Sequence, residues 1–257
     1  MKLKLYKYLS YTNGAKDVIE KGTLKFSSYD EFNDPFDCVV SYDLEDSIEY
    51  CKSRKDLMKV VGNKFKLSPA ERISSQSVLL KNIENSIKSG EFHNSILDRI
   101  GICCLSLVPD SILMWSHYAD NHQGLVVEFD TFQDKHSELD SVEEKLIGYP
   151  IIYQDEMPKI SVRNGQDGFS AVESTILTKS KSWEYEKEFR VISTHSGPGV
   201  HKFDNTLISR VIVGAKMNND DYLDVIRRVD ATNLSHGLSI EVVKAEMSQD
   251  KYELIIS

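Results

Sequence analysis

Residues 114–130 read MWSHYADNHQGLVVEFD and join a polar, aromatic segment to an apolar run. Asp110 or Ser111 is a residue type that caps helices, so the pattern predicts a short helix over the first part of the stretch. GLVVEFD is bounded by turn-forming residues and rich in β-branched and apolar side chains, which predicts a strand. The helix carries His117 and Tyr118, more polar groups than a packing helix needs. We therefore interpret this stretch as one wall of a functional site.

Strand patterns lie on both sides of this stretch. KLKLYKYLS at 2–10 and ICCLSLV at 102–108 precede it, and RVIVGA at 210–215 follows it. Residues 43–100 carry helical patterns, which predict a helical insert or cap. Because strands and helices do not alternate regularly, we expect an α+β fold with a mixed, mostly antiparallel sheet, in a single domain over 1–257.

Composition restricts the class of protein. The chain has 257 residues, a net charge of −9 and 40% hydrophobic residues. Its apolar runs are much shorter than the roughly 20 residues of a membrane span. The acidic balance argues against a broad nucleic-acid surface. The first residues lack the apolar region of a secretory signal, and the four cysteines form no CxxC pair, so a cytoplasmic protein without a membrane contact is expected. A small molecule or a protein is the expected partner.

The segment WEYEKEFRVIS at 183–193 carries the strongest candidate catalytic groups. If it is extended, Glu186, Glu188 and Arg190 lie on one face, because alternate residues of a strand share a face. A carboxylate oriented by a guanidinium serves as a general base or stabilises positive charge that grows on a sugar carbon. The alternative is a solvated surface ion pair, which contributes little.

The segment FSSYDEFNDPFD at 26–37 supplies a second group of candidates at the end of a strand. Ser27, Ser28, Asn33 and Asp34 lie where loops commonly carry binding residues on a rigid support. Asn33 and Asp34 are equally typical of a turn in which the side chain bonds its own backbone.

The sequence does not support a metal site, a reactive cysteine or one of the common catalytic and nucleotide-binding motifs. His117 and His122 are five residues apart, which does not fit two metal ligands on one helical face, so no metal site is predicted. The sequence contains no GxSxG, GxGxxG or P-loop motif. Cys103 and Cys104 lie in an apolar strand, which favours unreactive thiols. A tryptophan such as Trp115 is more often a core residue than a substrate platform.

Four blocks in order, LYKYLS, GTLKFSSYDEFNDPFD, CCLS…SILMWSHYADNHQGLVVEFD and KSWEYEKEFRVI, resemble a bacterial family known as a domain of unknown function. That family in turn resembles the ADP-ribosyltransferase fold, in which NAD is the substrate and no separate cofactor is needed. The resemblance implies an anchor at Lys7 or Tyr8 on the first strand, a hydroxyl at Ser27 or Ser28 on the second, and a catalytic acid at Glu188 on a late strand. Relatives of that layout read HYT where this chain reads Lys7-Tyr8-Leu9, and a charged lysine cannot accept a hydrogen bond from ribose.

The resemblance implies an enzyme that acts on NAD or a related nucleotide, in a toxin or antiviral defence setting, with a protein, DNA, RNA or water as acceptor. Glu188 is then the catalytic residue, oriented by Glu186 and Arg190. The predicted substrate-binding residues are Lys7, Tyr8, Ser27, Ser28, Asn33, Asp34, Trp115, His117 and Tyr118. The alternative is a module of the same fold that binds a nucleotide or a protein without catalysis. A metal-dependent nuclease is disfavoured because Glu186 and Glu188 lack a third acid.

Overall fold

A computed structural model describes residues 2–64, 66–132, 143–163 and 170–257. The strands are β1 Lys2–Leu9, β2 Thr23–Phe26, β3 Ser41–Tyr42, β4 Gly101–Ser106, β5 Leu125–Phe132, β6 Tyr149–Pro150, β7 Ile152–Gln154, β8 Lys159–Ile160, β9 Thr178–Ser180, β10 Glu188–Ser193, β11 Gly199–Lys202, β12 Ile208–Val213, β13 Glu241–Met247 and β14 Leu254–Ile256. The helices are α1 Asn13–Lys21, α2 Leu44–Ser53, α3 Lys55–Lys64, α4 Pro69–Lys88, α5 Glu91–Leu97, α6 Ile112–Tyr118, α7 Ser170–Ile176 and α8 Asn219–His236.

The chain forms two compact units, and each is built from separated segments. The first unit contains residues 1–31, 100–151 and 181–257, and the second contains 32–99 and 152–180. The second unit holds α2 to α5, the predicted helical block, together with α7. Two small parallel ladders complete it, β3 with β8 and β7 with β9. In α4 the Ser68 side chain and Glu71 form a reciprocal capping box, which explains why the helix begins there.

The first unit is organised around one large sheet with the strand order β14-β13-β12-β5-β1-β4-β10-β6. Its neighbours pair antiparallel except for the parallel pair β12 and β13. The predicted α+β class with a mixed, mostly antiparallel sheet is therefore confirmed. The segment at 144–154 contains two short strands, β6 in this sheet and β7 in the second unit.

Both faces of β1 are covered. Leu5 lies in one apolar cluster with Ile19 of α1, and Tyr6 and Tyr8 lie in a second cluster with Trp115 of α6. The alternation of the strand separates aliphatic from aromatic residues, so each face meets its own apolar cluster. β1 therefore places side chains in the apolar clusters on both faces of the sheet.

Candidate functional site

A cavity of about 380 Å³ lies in the first unit, beside the end of β1, helix α1 and strand β2. Its apolar wall includes Leu9, Val18 and Leu24, whereas Lys7, Ser27 and Tyr118 contribute polar groups. Lys25 and Asp17 add one charge of each sign. Of the residues predicted from the sequence, the cavity brings together Lys7, Tyr8, Ser27 and Tyr118. Its volume is typical of small-molecule sites, which are mostly apolar with a few polar groups.

The cavity lies beside the place where one edge of β4 stops pairing with β1 and pairs with the residue after β2. Ser106 of β4 pairs with Tyr6 of β1, but Ile102 forms a two-hydrogen-bond bridge with Ser27, which follows β2, at 2.9 Å in each direction. Alternate residues of a strand direct their backbone groups to the same side, so the Cys104 carbonyl faces the gap between these pairings. The Nζ atom of Lys7 donates to that carbonyl at 2.8 Å. Lys7 therefore supplies the hydrogen bond that the Cys104 carbonyl does not receive from a neighbouring strand, at the wall of the cavity.

Tyr8 is held in the core rather than at a ligand surface. Its hydroxyl donates to the Val108 carbonyl at 2.8 Å, and its ring meets the Trp115 ring edge-on, with centroids 5.6 Å apart. Burial raises the pKa of Tyr8, so the phenol stays neutral at physiological pH. Tyr8 lines the cavity, while its hydroxyl is already bonded to a carbonyl.

Trp115 lies outside the predicted wall, in the apolar core. It is 0% exposed, and its indole nitrogen donates to the Pro109 carbonyl at 2.8 Å. The His122 ring is stacked on it with centroids 6.2 Å apart. The prediction that Trp115 binds the substrate is wrong, because the residue is fully buried.

The helix α6 begins as predicted and ends in an unusual turn. Its N-cap is Ser111, whose side chain accepts from the Met114 amide. After the helix, Asp120, Asn121 and His122 all have positive φ, at 47°, 52° and 71°. Asp, Asn and His adopt this left-handed region more readily than other non-glycine residues. This turn reverses the chain into β5 and leaves Tyr118 at the cavity.

Tyr118 connects the cavity to the acidic segment. Its hydroxyl donates to Oε1 of Glu186 at 2.7 Å. Glu186 is buried, at the end of a 3-10 helix over Lys181–Glu186, and Lys187 follows with a φ of 46°. The prediction that Glu186 extends the strand of Glu188 was therefore wrong, because the chain turns at Lys187 before β10 begins. Glu186 reaches Tyr118 from this turn.

Glu188 and Arg190 form a buried ion pair on β10. The Arg190 Nε atom donates to Oε1 of Glu188 at 2.7 Å, and the side chains are 3% and 0% exposed. The alternative of a solvated surface pair is thus wrong. Glu188 pairs with Ser106, which pairs with Tyr6, and directly paired residues project to one face of a sheet. Glu188 therefore projects to the face of Tyr6, opposite Lys7.

The remaining predicted residues do not line the cavity. The carbonyl of Ser28 accepts from the Glu31 amide in a 3-10 turn of the first unit. Asn33 and Asp34 belong to the second unit, where Asp34 Oδ1 accepts from the Phe36 amide at 2.9 Å. That contact is the predicted alternative, a turn closed by the side chain of Asp34.

Sequence reasoning missed Trp183 and Tyr185. The two rings lie on the 3-10 helix before Glu186, with centroids 6.0 Å apart. The exposed ring of His117 lies 6.5 Å from Trp183 and 6.1 Å from Tyr118. The only signal in the sequence was a tryptophan among charged residues, in KSWEYEKE, where no apolar pattern accounts for it.

Residues 114–191 match the family model of a protein of unknown function, DUF2971. The match confirms the predicted family resemblance over this range. It spans most of α6, all of β5 and the 3-10 helix, and most of β10, and thus includes Trp115, His117, Tyr118, Glu186, Glu188 and Arg190. Neither a curated protein nor a solved structure shows a significant match to the chain.

In the described ranges, no group of three or more His, Cys, Asp or Glu side chains is placed to hold a metal ion. Among the helices of those ranges, none is long and apolar enough to cross a membrane. None of the four cysteines, which all lie in that part of the chain, forms a disulfide bond, and burial raises the pKa of Cys103.

Proposed function

We propose that the cavity binds a nucleotide-like small molecule and that the protein is an ADP-ribosyltransferase-like enzyme acting on NAD or a related nucleotide. The observation that carries the proposal is that three of the predicted substrate-binding residues, Lys7, Ser27 and Tyr118, line one cavity. Lys7 and Lys25 suit a phosphate, whereas Leu9, Val18 and Leu24 suit a ring or the carbons of a sugar.

The reaction we propose is cleavage of the bond between nicotinamide and ribose. The electron pair of that bond leaves with nicotinamide, and positive charge grows on the ribose carbon until water or another acceptor attacks it and loses a proton. A carboxylate placed near that carbon stabilises the transition state. Glu186 is our leading candidate for this role, because Tyr118 holds it beside the cavity. Glu188 and Arg190 lie on the sheet face opposite Lys7, where we expect their ion pair to stabilise the strand next to Glu186.

A second candidate function is binding without turnover, as in a sensor module. The burial of both acids favours it, since a catalytic acid must reach its substrate, whereas Glu186 is 3% exposed and the Glu188 side chain, paired with Arg190, is also 3% exposed. Lys7 also favours it, because it stands where relatives of the ADP-ribosyltransferase layout carry a histidine. The two functions share the cavity and differ in chemistry.

The test measures nicotinamide release from NAD and the melting temperature in rising NAD concentrations, on the same preparation. The enzyme proposal expects release by the wild type and at least a tenfold loss in Tyr118→Phe. Tyr11→Phe is the matched control, because the Tyr11 hydroxyl donates to Asp224 at the same 2.7 Å but Tyr11 does not line the cavity. Glu188→Gln, measured beside them, reports whether this acid is required.

Each result selects one function. Release that falls in Tyr118→Phe and not in Tyr11→Phe supports the enzyme. A melting temperature that rises with NAD while no nicotinamide appears supports the binding module, because a ligand of the native state stabilises it by mass action. If NAD is neither cleaved nor stabilising, the assignment of NAD to this cavity is wrong.

A further inference from the structure

Four neighbouring rings form a continuous row in the first unit. The row consists of Tyr118, His117, Trp183 and Tyr185, with successive centroids 6.1, 6.5 and 6.0 Å apart. His117 is exposed and the other three are partly exposed. We call this set the aromatic row. It begins at the cavity, because Tyr118 lines the cavity wall.

Tyr118 and Tyr185 pack against the same apolar cluster as Trp115 and Tyr8, but every ring of the aromatic row keeps some solvent exposure. Trp115 and Tyr8 also contact each other edge-on, but both are buried and their polar atoms bond to backbone carbonyls. Core packing therefore accounts for that pair. Three aromatic rings and an imidazole that remain in contact with solvent beside a cavity are typical of a surface that receives a flat ligand.

The size of the cavity indicates which part of a ligand the row receives. About 380 Å³ is close to the lower end of the range for small-molecule sites, so a dinucleotide extends beyond it. The wall leads from the cavity through Tyr118 to His117 and Trp183. A base stacks on aromatic side chains with little regard to its identity, because every base has a π-face.

We propose that the aromatic row stacks the second ring of a dinucleotide whose first half occupies the cavity. The site then selects a dinucleotide over either of its mononucleotide halves. This inference rests on the proposed nucleotide-binding function and adds Trp183 and His117 as residues that determine specificity.

The experiment compares the affinities of NAD, nicotinamide mononucleotide and AMP by isothermal titration calorimetry. Wild-type protein is expected to bind NAD at least tenfold more tightly than the tighter of the two halves. Trp183→Ala and His117→Ala should each reduce the NAD affinity about tenfold and leave the affinity of the tighter-binding half unchanged. His195→Ala is the matched control, since His195 is exposed in the same unit and is not part of the row.

Intrinsic fluorescence gives an independent readout that a merely structural role would not change. The chain has two tryptophans, and Trp115 is fully enclosed, so a ligand on the row quenches Trp183 alone. Trp183→Phe should keep most of the NAD affinity, because phenylalanine also stacks, and should lose the quenching. His117→Ala tests the row without altering either emitter.

The outcomes separate this inference from the proposed function. If a mononucleotide binds and Lys7→Met or Tyr118→Phe weakens it, but NAD is no tighter, the cavity function stands and the row inference is overturned. The inference is also overturned if NAD is tighter and Trp183→Ala and His117→Ala keep the full preference. If none of the three probes binds the wild type, the proposed function falls and this inference falls with it.

Discussion

The Nε atom of Arg190 lies 2.7 Å from Oε1 of Glu188, two residues earlier on the same strand, and the two side chains are 0% and 3% exposed. Removing one partner of a buried pair leaves a charge without compensation, which is far more destabilising than the pair itself is stabilising. We expect Arg190→Met to lower the free energy of unfolding by about 3–5 kcal/mol. Urea unfolding of the wild type and the variant measures this change.

The double variant Glu188→Leu/Arg190→Met is the control for that prediction. Since it removes both charges and keeps comparable volume, it should recover most of the stability lost in Arg190→Met. A double variant that is no more stable than Arg190→Met would show that the loss comes from packing and not from an unpaired charge.

The pH dependence of stability should depend on Glu128 of β5. Burial alone would raise the pKa of this carboxyl, but hydrogen bonds from Arg210, Lys4 and Ser209 outweigh that effect and lower the pKa to about 2. A depressed pKa contributes stability above the unfolded value of 4.5, and this contribution is lost as the pH falls toward 2. We expect Glu128→Gln to flatten the decline of urea midpoints between pH 5 and pH 2.

Asp130 provides the comparison on the same strand. It also pairs with Lys4, at 3.1 Å, but both side chains are about half exposed. Asp130→Asn should therefore change the pH profile little, because exposed pairs are weak. Equal flattening by Asp130→Asn and Glu128→Gln would show that Lys4, and not the buried carboxylate, controls the effect.

Local features of the fold could be predicted because their causes lie within a few residues. α1 ends at Gly22, which has a φ of 61°, α4 begins at the capping pair Ser68 and Glu71, and α6 begins at Ser111. Each boundary depends on a hydrogen bond or a backbone angle set by the residue itself. The strand patterns of β1, β4, β5 and β12 are equally local.

Features that depend on distant segments could not be predicted. The sequence does not indicate that β4 pairs with β1 at Ser106 and with Ser27 at Ile102. This change of pairing partner leaves the Cys104 carbonyl to Lys7, which lines the cavity. The turn at Lys187 depends on a positive φ at a residue type that rarely adopts it. For the same reason the alternation rule placed Glu186 on the strand, when it is the partner of Tyr118.

Gly124, at the start of β5, should not tolerate a side chain. A Cβ atom at this position would lie 2.1 Å from the Leu9 carbonyl oxygen, and that backbone cannot move without disturbing β1. We expect Gly124→Ala to lower the free energy of unfolding by about 3 kcal/mol or more. In Gly237→Ala the added Cβ has open space and only the φ of 66° is unfavourable, so its loss should be about 1 kcal/mol. Urea unfolding that ranks the two variants equally would contradict the close approach.

Lys7 links the stability of the divided sheet to the cavity. Lys7→Met keeps the aliphatic stem and removes the donor at 2.8 Å from the Cys104 carbonyl, so that a backbone acceptor loses a charged partner. We expect a loss of about 1.5–3 kcal/mol in urea unfolding, together with weaker binding of nucleotide probes. Lys25→Met is the matched control, since Lys25 also lines the cavity but pairs with the exposed Glu31, at 2.8 Å. Its stability should change by less than about 1 kcal/mol. If the two variants lose equal stability, the hydrogen bond from Lys7 to Cys104 does not stabilise this part of β4, and other contacts do so.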